Sequence, residues 1–354
     1  MQKIWKDDWA ETKQRFQDWW NGKGFLVGFW GGVPLAEPRI EVEPPPPAVS
    51  LEQQWADNGW RVAEIRHRMA GTAWPLDCLP LVHPYIGPGS LAMALGSPPE
   101  YQPDTVWFNQ AESCDSIRFD ANHPLWQLQM DLTDRLIADS NGNYFVGVPD
   151  LVENWDILGS LRGAENLLMD MIERPGWVKD RLDELNEAYF AAFEDCWRRV
   201  IAQDGSSMFG WFELWAPGRV AKVQCDGCAM FSPAMFREFV VPTLADQCKR
   251  LDYSMFHLDG SQCLDKLDAL LEIESLTAIE WTPDPKVPSG GNLYWVEMYR
   301  RILSAGKRVQ ILGATAQEIE PMLDAIGADG VYFLSNAASE AEAEKFEKVV
   351  ARLR

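Results

Sequence analysis

The sequence has 354 residues, of which 32 are Lys or Arg and 53 are Asp or Glu, so the formal net charge is -21. Such a charge repels a phosphate backbone and an anionic membrane surface, which excludes nucleic acid and membranes as partners. Hydrophobic residues make up 47% of the chain and aromatic residues 12%, enough for a packed core, which excludes a disordered protein.

The N-terminus and the cysteines both predict a cytoplasmic protein. Residues 1–8 carry charges where a signal peptide needs an apolar run. No segment approaches the roughly 20 apolar residues of a membrane-spanning helix. The seven cysteines are too few and too scattered for a disulfide framework. Cys225 and Cys228 form a lone CxxC motif without a second pair, so we interpret all seven as reduced thiols.

The first third of the chain is irregular apart from one helical extension and one strand. Residues 1–23 are predicted to form an N-terminal helical extension, and residues 25–30 form an apolar strand that two glycines end. Residues 33–130 are interpreted as irregular insertions, with a helix at 51–70 and a stiff proline run at 44–47. Because that run is short and lies between structured segments, we expect a single domain over residues 1–354.

From about residue 130 onward, strand and helix patterns alternate at α/β spacing, which predicts a parallel sheet. Gly306 and Gly327 stand where helices end, and Ser232 with Pro233 begins a helix in the preferred way. The predicted strands are 144–148, 208–215, 220–224, 253–258, 277–281, 308–312 and 330–334. The predicted helices are 158–172, 177–200, a helix that begins at 233, 263–271, 293–304, 316–326 and 339–353.

Several motifs together resemble the uroporphyrinogen decarboxylase superfamily. Residues 231–242, Phe-Ser-Pro-Ala-Met-Phe-Arg-Glu-Phe-Val-Val-Pro, resemble a helix start of that family, and Asp226 precedes them at the spacing of its acidic strand-end residue. Residues 256–260, Phe-His-Leu-Asp-Gly, resemble its His-x-Cys-Gly strand end, and Gly163 with residues 165–175 resembles its helix pair. The resemblance covers about residues 70–354 and implies a (β/α)8 TIM barrel with the active site at the carboxyl ends of the strands.

The resemblance implies either a decarboxylase that needs no cofactor or a zinc-dependent methyltransferase that exchanges methyl groups with a corrinoid protein or a thiol. True uroporphyrinogen decarboxylases carry an arginine-rich segment where this chain has residues 29–33 without arginine, which excludes porphyrinogen as the substrate. The methyltransferase branch binds zinc through His, Cys and a later Cys. In this chain His257 is kept, Asp259 stands at the first Cys position, and no Cys follows Cys263.

Ionisable residues at predicted strand ends form the candidate site. His257 and Asp259 alternate along one strand and share a face, while Asp226 and Glu280 lie at the ends of two others. The pattern suits a divalent metal, zinc foremost, bound by His257 with Asp259, Glu280 or Cys225. The same pattern also suits a metal-free site in which His257, Asp226 and Glu280 are the catalytic acids and bases. A third interpretation is that His257 and Asp259 form a hydrogen-bonded pair that only anchors a loop.

Aromatic and acidic side chains near predicted strand ends are candidates for substrate binding. The chain has 17 tryptophans, and flat rings suit stacking on a ligand. The candidate substrate-binding residues are Trp30, Trp74, Glu213, Trp215 and Trp281.

Three functions follow from these residues. The first is a metal-assisted methyltransferase of the demethylase type, linked to a corrinoid protein or a thiol, acting on a small polar substrate. The second is a metal-free decarboxylase or lyase acting on a carbohydrate-like or aromatic carboxylate. The third is a non-catalytic ligand-binding barrel, which the number of costly ionisable groups disfavours. No glycine-rich nucleotide motif occurs in a suitable context, so no nucleotide cofactor is expected, and a homodimer is left open.

Overall fold

Short strands and helices alternate along residues 4–354, the part of the chain that the computed structural model describes. The first three residues of the predicted N-terminal extension lie outside this range. The strands are β1 Phe25–Phe29, β2 Val33–Pro34, β3 Thr72–Ala73, β4 Leu81–Val82, β5 Pro99–Tyr101, β6 Val106–Phe108, β7 Phe145–Val146, β8 Ser207–Phe209, β9 Leu214–Ala216, β10 Val220–Gln224, β11 Tyr253–Asp259, β12 Ala278–Thr282, β13 Arg308–Leu312 and β14 Val331–Ser335. The α-helices are α1 Trp9–Trp20, α2 Leu51–Ala56, α3 Asn58–Ala70, α4 Leu91–Ala94, α5 Pro124–Ser140, α6 Asn154–Arg162, α7 Ala164–Glu173, α8 Pro175–Val200, α9 Pro233–Phe239, α10 Val241–Arg250, α11 Leu267–Leu271, α12 Val296–Ser304, α13 Ala316–Ile326 and α14 Glu340–Leu353. Short 3-10 helices cover Asp226–Met230, Ser261–Lys266 and Leu293–Trp295.

A six-stranded parallel sheet forms the centre of the molecule, in the order β1, β14, β13, β12, β11, β10. Its strands are largely apolar, and β1, β10 and β14 are buried at every position. Continuous burial is expected for parallel strands that helices cover. The predicted strands at 25–30, 220–224, 253–258, 277–281, 308–312 and 330–334 are confirmed, and with them the α/β class.

A second, shorter set of strands lies beside this sheet. Strands β4 and β7 pair in parallel, and an isolated parallel bridge from Val148 to Phe209 extends the set to β8. The segment before β4 is hydrogen-bonded to the main sheet, because the Asp77 amide donates to the Val27 carbonyl at 2.9 Å. Within residues 4–354 the strand ladders therefore form two parallel sets and no continuous closed barrel.

The prediction of one strand at 208–215 is wrong, because these residues form an antiparallel hairpin. Strands β8 and β9 pair so that Met208 faces Trp215, and the chain reverses through residues 210–213, which we call the hairpin tip. Glu213 has a positive φ of 52° there. The tip contacts the main sheet, since Gln310 Nε2 donates to the Phe212 carbonyl at 2.9 Å and the Tyr332 hydroxyl donates to the Glu213 carbonyl at 3.2 Å.

Two helices that the sequence predicts as continuous are each divided into two shorter helices. The helix predicted at 51–70 is divided at Asp57, whose side chain accepts from the Trp60 amide at 3.1 Å and begins α3. The helix predicted at 158–172 is divided at Gly163, which has a φ of 85°.

The region 33–130, which the sequence predicts as irregular, contains short elements. One of them is β4, a strand of two residues that is too short to give a periodic pattern in the sequence.

The core is one contiguous cluster of buried apolar side chains that extends from Phe16 in α1 to Val350 in α14. Helix α1 belongs to this core, because Trp20 Nε1 donates to the Trp215 carbonyl at 2.8 Å and Phe16 packs edge-on against Trp215 and Tyr332. Among the described residues, no helix combines the length and the apolar character that crossing a membrane demands.

We expect Gly210→Ala to destabilise the protein by about 1–3 kcal/mol, the usual cost of overpacking a core. A Cβ at position 210 would stand 2.0 Å from Cβ and 3.0 Å from Cα of His83, so the hairpin tip or the backbone after β4 would have to move. Urea unfolding measures the change. Gly176→Ala in α8 is the matched control, because a Cβ there meets nothing within 4 Å. Equal stability of the two variants would contradict the described packing of the tip.

Candidate active site

One level of the main sheet carries a row of polar side chains. Register pairs Gln224 with His257, His257 with Glu280, Glu280 with Gln310, and Gln310 with Tyr332. Residues at one register level of neighbouring strands present their side chains on the same face of the sheet. The hairpin tip contacts this row, with the Phe212 ring 4.9 Å from the His257 ring. The row and the tip therefore form the floor of the candidate site.

Three potential metal ligands converge above this floor. Asp226 directly follows β10, and His257 and Asp259 lie in the last part of β11. Each offers one ligand atom, and these atoms lie within 4.8 Å of one another. Adjacent parallel strands end at the same edge, which is why two neighbouring strand ends can supply all three groups.

The His257 ring is oriented from behind by Glu280. Its Nδ1 pairs with Glu280 Oε2, and the Thr282 hydroxyl donates to the other oxygen, Glu280 Oε1, at 2.7 Å. Glu280 is completely buried, while His257 keeps a partly exposed edge. Glu280 is thus a positioning residue for His257, and Nε2 is the ring atom left for a metal or a substrate.

The pKa values of this cluster depart strongly from ordinary ones. Desolvation by the surrounding protein, reinforced by Asp156, raises the pKa of Asp226 to about 7. Asp226 is nevertheless solvent-accessible, so a ligand can reach its carboxyl group. We call the space above Asp226, His257 and Asp259 the recess. Burial alone would lower the pKa of His257, but the Glu280 carboxylate outweighs burial and raises it to about 9.

The first turn of α6 holds Asp226 in place. Asp156 in this turn accepts hydrogen bonds from the backbone amides of Asp226 at 2.8 Å and Gly227 at 2.9 Å. Val152 in the loop before α6 and Asn154 at the start of α6 have positive φ values of 55° and 53°. A β-branched residue with positive φ is strained, and such strain is concentrated at functional sites.

A buried ion pair lies below Asp226. Lys222 Nζ is 2.8 Å from Asp150 Oδ1, and both side chains are almost completely buried. Lys222 also donates to Gln224, whose backbone amide donates to Glu153. The other oxygen of Glu153 has no hydrogen-bond partner among the described residues, and burial raises the pKa of Glu153 to about 8. Lys222 is therefore neutralised by Asp150 and adds no net positive charge to the recess.

The aromatic residues are distributed differently from the sequence expectation. Trp30 is half-buried beside the hairpin tip, and Glu213 lies in the tip itself, where it accepts from the Gly31 amide at 3.0 Å. Trp215 packs against α1, and Trp281 is completely buried against Trp295, with 4.8 Å between ring centroids. Trp74 is buried, and its carbonyl accepts from Lys6. Only Trp30 and Glu213 of the predicted substrate-binding set are thus brought to the candidate site.

The thiols form a separate buried group next to the recess. Cys225 and Cys228 are buried free thiols that are hydrogen-bonded to each other, and Cys263 is hydrogen-bonded to Cys228. Burial raises the pKa of Cys225 to about 12, so in the metal-free protein it is a neutral thiol. Cys225 is not part of the three-ligand group.

Sequence reasoning missed several residues of this site. Asp150 follows the predicted strand 144–148 just as Asp226 follows its own, so the same strand-end rule would have found it. Lys222 is a cation within an apolar predicted strand, and a buried charge requires a partner. Asp156 carries no local signal, because its role depends on a contact with a distant part of the chain.

We expect Glu213→Gln to stabilise the protein at alkaline pH and to have no effect on stability near pH 4.5. Burial raises the pKa of Glu213 from 4.5 to about 8. Below pH 4.5 the Glu213 carboxyl is protonated in both the folded and the unfolded state. Between pH 4.5 and 8 it is protonated only in the folded state. Wild-type stability should therefore fall as pH rises through that range, and glutamine removes this loss. Melting temperatures measured from pH 4.5 to 9 test the prediction, and a pH-independent difference between the proteins would contradict it.

The geometry defines an α/β protein whose parallel strands present one imidazole and two carboxylates at their carboxyl ends. The sequence matches no protein-family model, and no curated protein matches it significantly. The fold is similar to that of a methyltransferase from Methanosarcina mazei, with a TM-score of 0.59 and 11% sequence identity, over 96% of this chain and 97% of that one. At this identity the similarity establishes a shared fold.

Proposed function

We propose that this protein is a metal-assisted methyltransferase that moves a methyl group from a small polar substrate to a corrinoid protein. The convergence of Asp226, His257 and Asp259, with Glu280 behind His257, is the observation that carries the proposal. The shared fold with a methyltransferase supports the reaction class. The resemblance of the sequence motifs to the uroporphyrinogen decarboxylase superfamily supports the corrinoid partner.

The donor set fits a divalent ion, which we propose to be zinc. One imidazole and two carboxylates suit Zn²⁺, and a catalytic zinc keeps three protein ligands and one open position. His257 would bind through Nε2, because Nδ1 is held by Glu280. When bound, the ion supplies Lewis acidity toward a heteroatom of the substrate.

Demethylation of a neutral substrate also requires a proton. When the bond between the methyl carbon and the heteroatom breaks, its electron pair stays on the heteroatom, which must take up a proton unless it was positively charged before. Asp226 would be an ionised ligand of the ion, so this proton would come from solvent at the exposed side of the site. A reduced corrinoid bound to a partner protein would supply the nucleophile that accepts the methyl group.

Metal removal tests this function. Protein purified without chelator should contain about one zinc ion per chain by elemental analysis. With chemically reduced cobalamin and a panel of methyl ethers, methylated amines and methyl thioethers, at least one donor should give methylcobalamin, seen by its absorbance. Chelation should abolish this reaction and added zinc should restore it. Full activity after chelation would contradict the metal-assisted mechanism.

A second candidate is a metal-free lyase or decarboxylase. The raised pKa values of Asp226 and His257 favour it, because the two adjacent groups could then hold and release protons near neutral pH. Activity on carboxylate substrates that survives chelation would support this candidate over the first.

We also propose that the two parallel strand sets form one interrupted (β/α)8 barrel within a single domain over residues 1–354. The contiguous core that joins α1 to α14 supports this arrangement. Limited proteolysis should therefore yield no stable fragment from cleavage near Pro45. Recovery of a folded fragment that begins after the proline run would contradict the single domain.

A further inference from the structure

Two tryptophans and a phenylalanine form a right-angled aromatic wall beside the candidate active site. Trp30, which follows β1, lies 5.4 Å from Trp211 of the hairpin tip, and their ring planes meet at 81°. Phe212 lies 5.5 Å from Trp30 and 4.9 Å from the His257 ring. We call Trp30, Trp211 and Phe212 the aromatic corner. Trp30 and Trp211 are partly exposed, so a ligand can reach their rings.

A carboxyl group without a cationic partner is built into the same structure. Glu213 is only 3% exposed. Its Oε1 accepts from the amide of Gly31, next to Trp30, while Oε2 has no hydrogen-bond partner within residues 4–354. Over the same range, no Lys or Arg lies within ion-pair distance of Glu213. The positive φ of Glu213 adds backbone strain to the cost of burying this group. A strained, buried carboxyl with one unpaired oxygen indicates a function rather than a contribution to stability.

The charges around the recess favour a positively charged ligand over a negatively charged one. Asp226 and Asp259 are exposed to the recess, Lys222 is neutralised by Asp150, and the whole chain carries -21. In the metal-free protein an anion would meet repulsion from Asp226, Asp259 and the negative net charge, whereas a small cation would be attracted. Perpendicular aromatic rings with a nearby carboxyl match the way proteins bind alkylated ammonium ions, through cation–π attraction.

We propose that the aromatic corner and Glu213 bind a compact organic cation with a methylated ammonium group. The ligand's methyl groups would contact the rings of Trp30 and Trp211. Glu213, which holds a proton near neutral pH in the free protein, would release it when the cation binds and balance the ligand's charge. The ammonium would then lie next to Phe212 and within reach of the His257 edge of the recess. The claim that a methyl group of this cation is transferred rests on the proposed function; the binding itself does not.

Calorimetric titration with choline and with 3,3-dimethyl-1-butanol, its uncharged isostere, tests the proposal. Choline should bind about tenfold or more tightly than the isostere, because only the cation gains from the ring faces. Trp30→Leu should weaken choline binding about tenfold, Trp30→Phe should restore part of it, and Glu213→Gln should weaken it with an intact melting transition. Trp107→Leu is the matched control, because Trp107 is an exposed tryptophan of β6 and should leave the affinity unchanged.

Equal affinity for choline and the isostere would overturn the proposal, and so would unchanged binding in both Trp30→Leu and Glu213→Gln. Titration of chelated protein without corrinoid separates this result from the reaction. Choline binding that persists while no methylated donor reacts would contradict the proposed function alone. Metal-dependent demethylation of ethers or thioethers without choline binding would contradict the cation site alone.

Discussion

His257→Asn should lower methyl transfer by about 1000-fold or more, the upper range for the loss of a catalytic group, with little change in melting temperature. The Asn amide can take the place of Nδ1 as a donor to Glu280, so the buried carboxyl keeps its partner. What the variant lacks is Nε2, the ring nitrogen that Glu280 leaves free. Zinc content and the methylcobalamin assay measure the two consequences independently, and both should fall.

Two variants serve as graded controls for His257→Asn. Glu280→Gln removes a positioning residue and should cost about 10–100-fold in metal affinity, the usual effect of losing the group behind a ligating histidine. Asp259→Asn removes one of two carboxylates and should reduce activity less than His257→Asn does. A His257→Asn protein with a lowered melting temperature and near-normal turnover would show that His257 has a structural role only.

Lys222→Met should reduce the free energy of unfolding by about 3–5 kcal/mol, because it leaves Asp150 buried without its partner. The two groups are 2.8 Å apart, and their side chains are 1% and 5% exposed. In that environment an unpaired carboxylate must either remain charged at a high cost or take up a proton. Urea unfolding at neutral pH measures the loss.

An exposed ion pair of similar geometry provides the control for Lys222→Met. Lys179 and Glu238 are 2.7 Å apart, with side chains 47% and 50% exposed. Lys179→Met should cost less than about 1 kcal/mol, since solvent screens such a pair. The double variant Lys222→Met with Asp150→Leu should be more stable than Lys222→Met alone. Equal stability of Lys222→Met and Lys179→Met would contradict the buried pair.

Local patterns account for the parts of the site that the sequence predicts. Asp226, His257 and Asp259 were identified because each follows or ends an apolar run, and parallel strands bring their carboxyl ends to one edge. The sequence predicted Glu280 as a metal ligand or a catalytic acid, whereas its carboxyl group lies behind His257 and pairs with Nδ1. Alternation along a strand does not reveal such a position. That position depends on the register between β11 and β12.

The aromatic residues illustrate where local reasoning ends. Trp30 and Trp281 both follow or belong to predicted strands, yet one is half-exposed beside the hairpin tip and the other is completely buried against Trp295. The burial of a tryptophan depends on which helix or loop covers it, and that element lies elsewhere in the chain. Residues 208–215 alternate like a strand, but Gly210 and the positive φ of Glu213 turn them into a hairpin.

The sequence by itself determined the α/β class and the main parallel strands, and it predicted His257 and Asp259 as metal ligands. It could do so because apolar periodicity and chain breaks are local, and because parallel strands have only one edge where their carboxyl ends meet. It predicted Asp226 as a catalytic residue and Glu280 and Cys225 as further ligands, whereas the structure groups Asp226 with His257 and Asp259. Only the tertiary structure decided the contacts of the hairpin tip with the main sheet, the pair of Lys222 with Asp150, and the support of Asp226 by Asp156. These contacts join residues that are 70 or more positions apart, such as Asp156 and Asp226. Contacts over such separations leave no periodic trace in the chain, because they arise from packing between elements rather than within one.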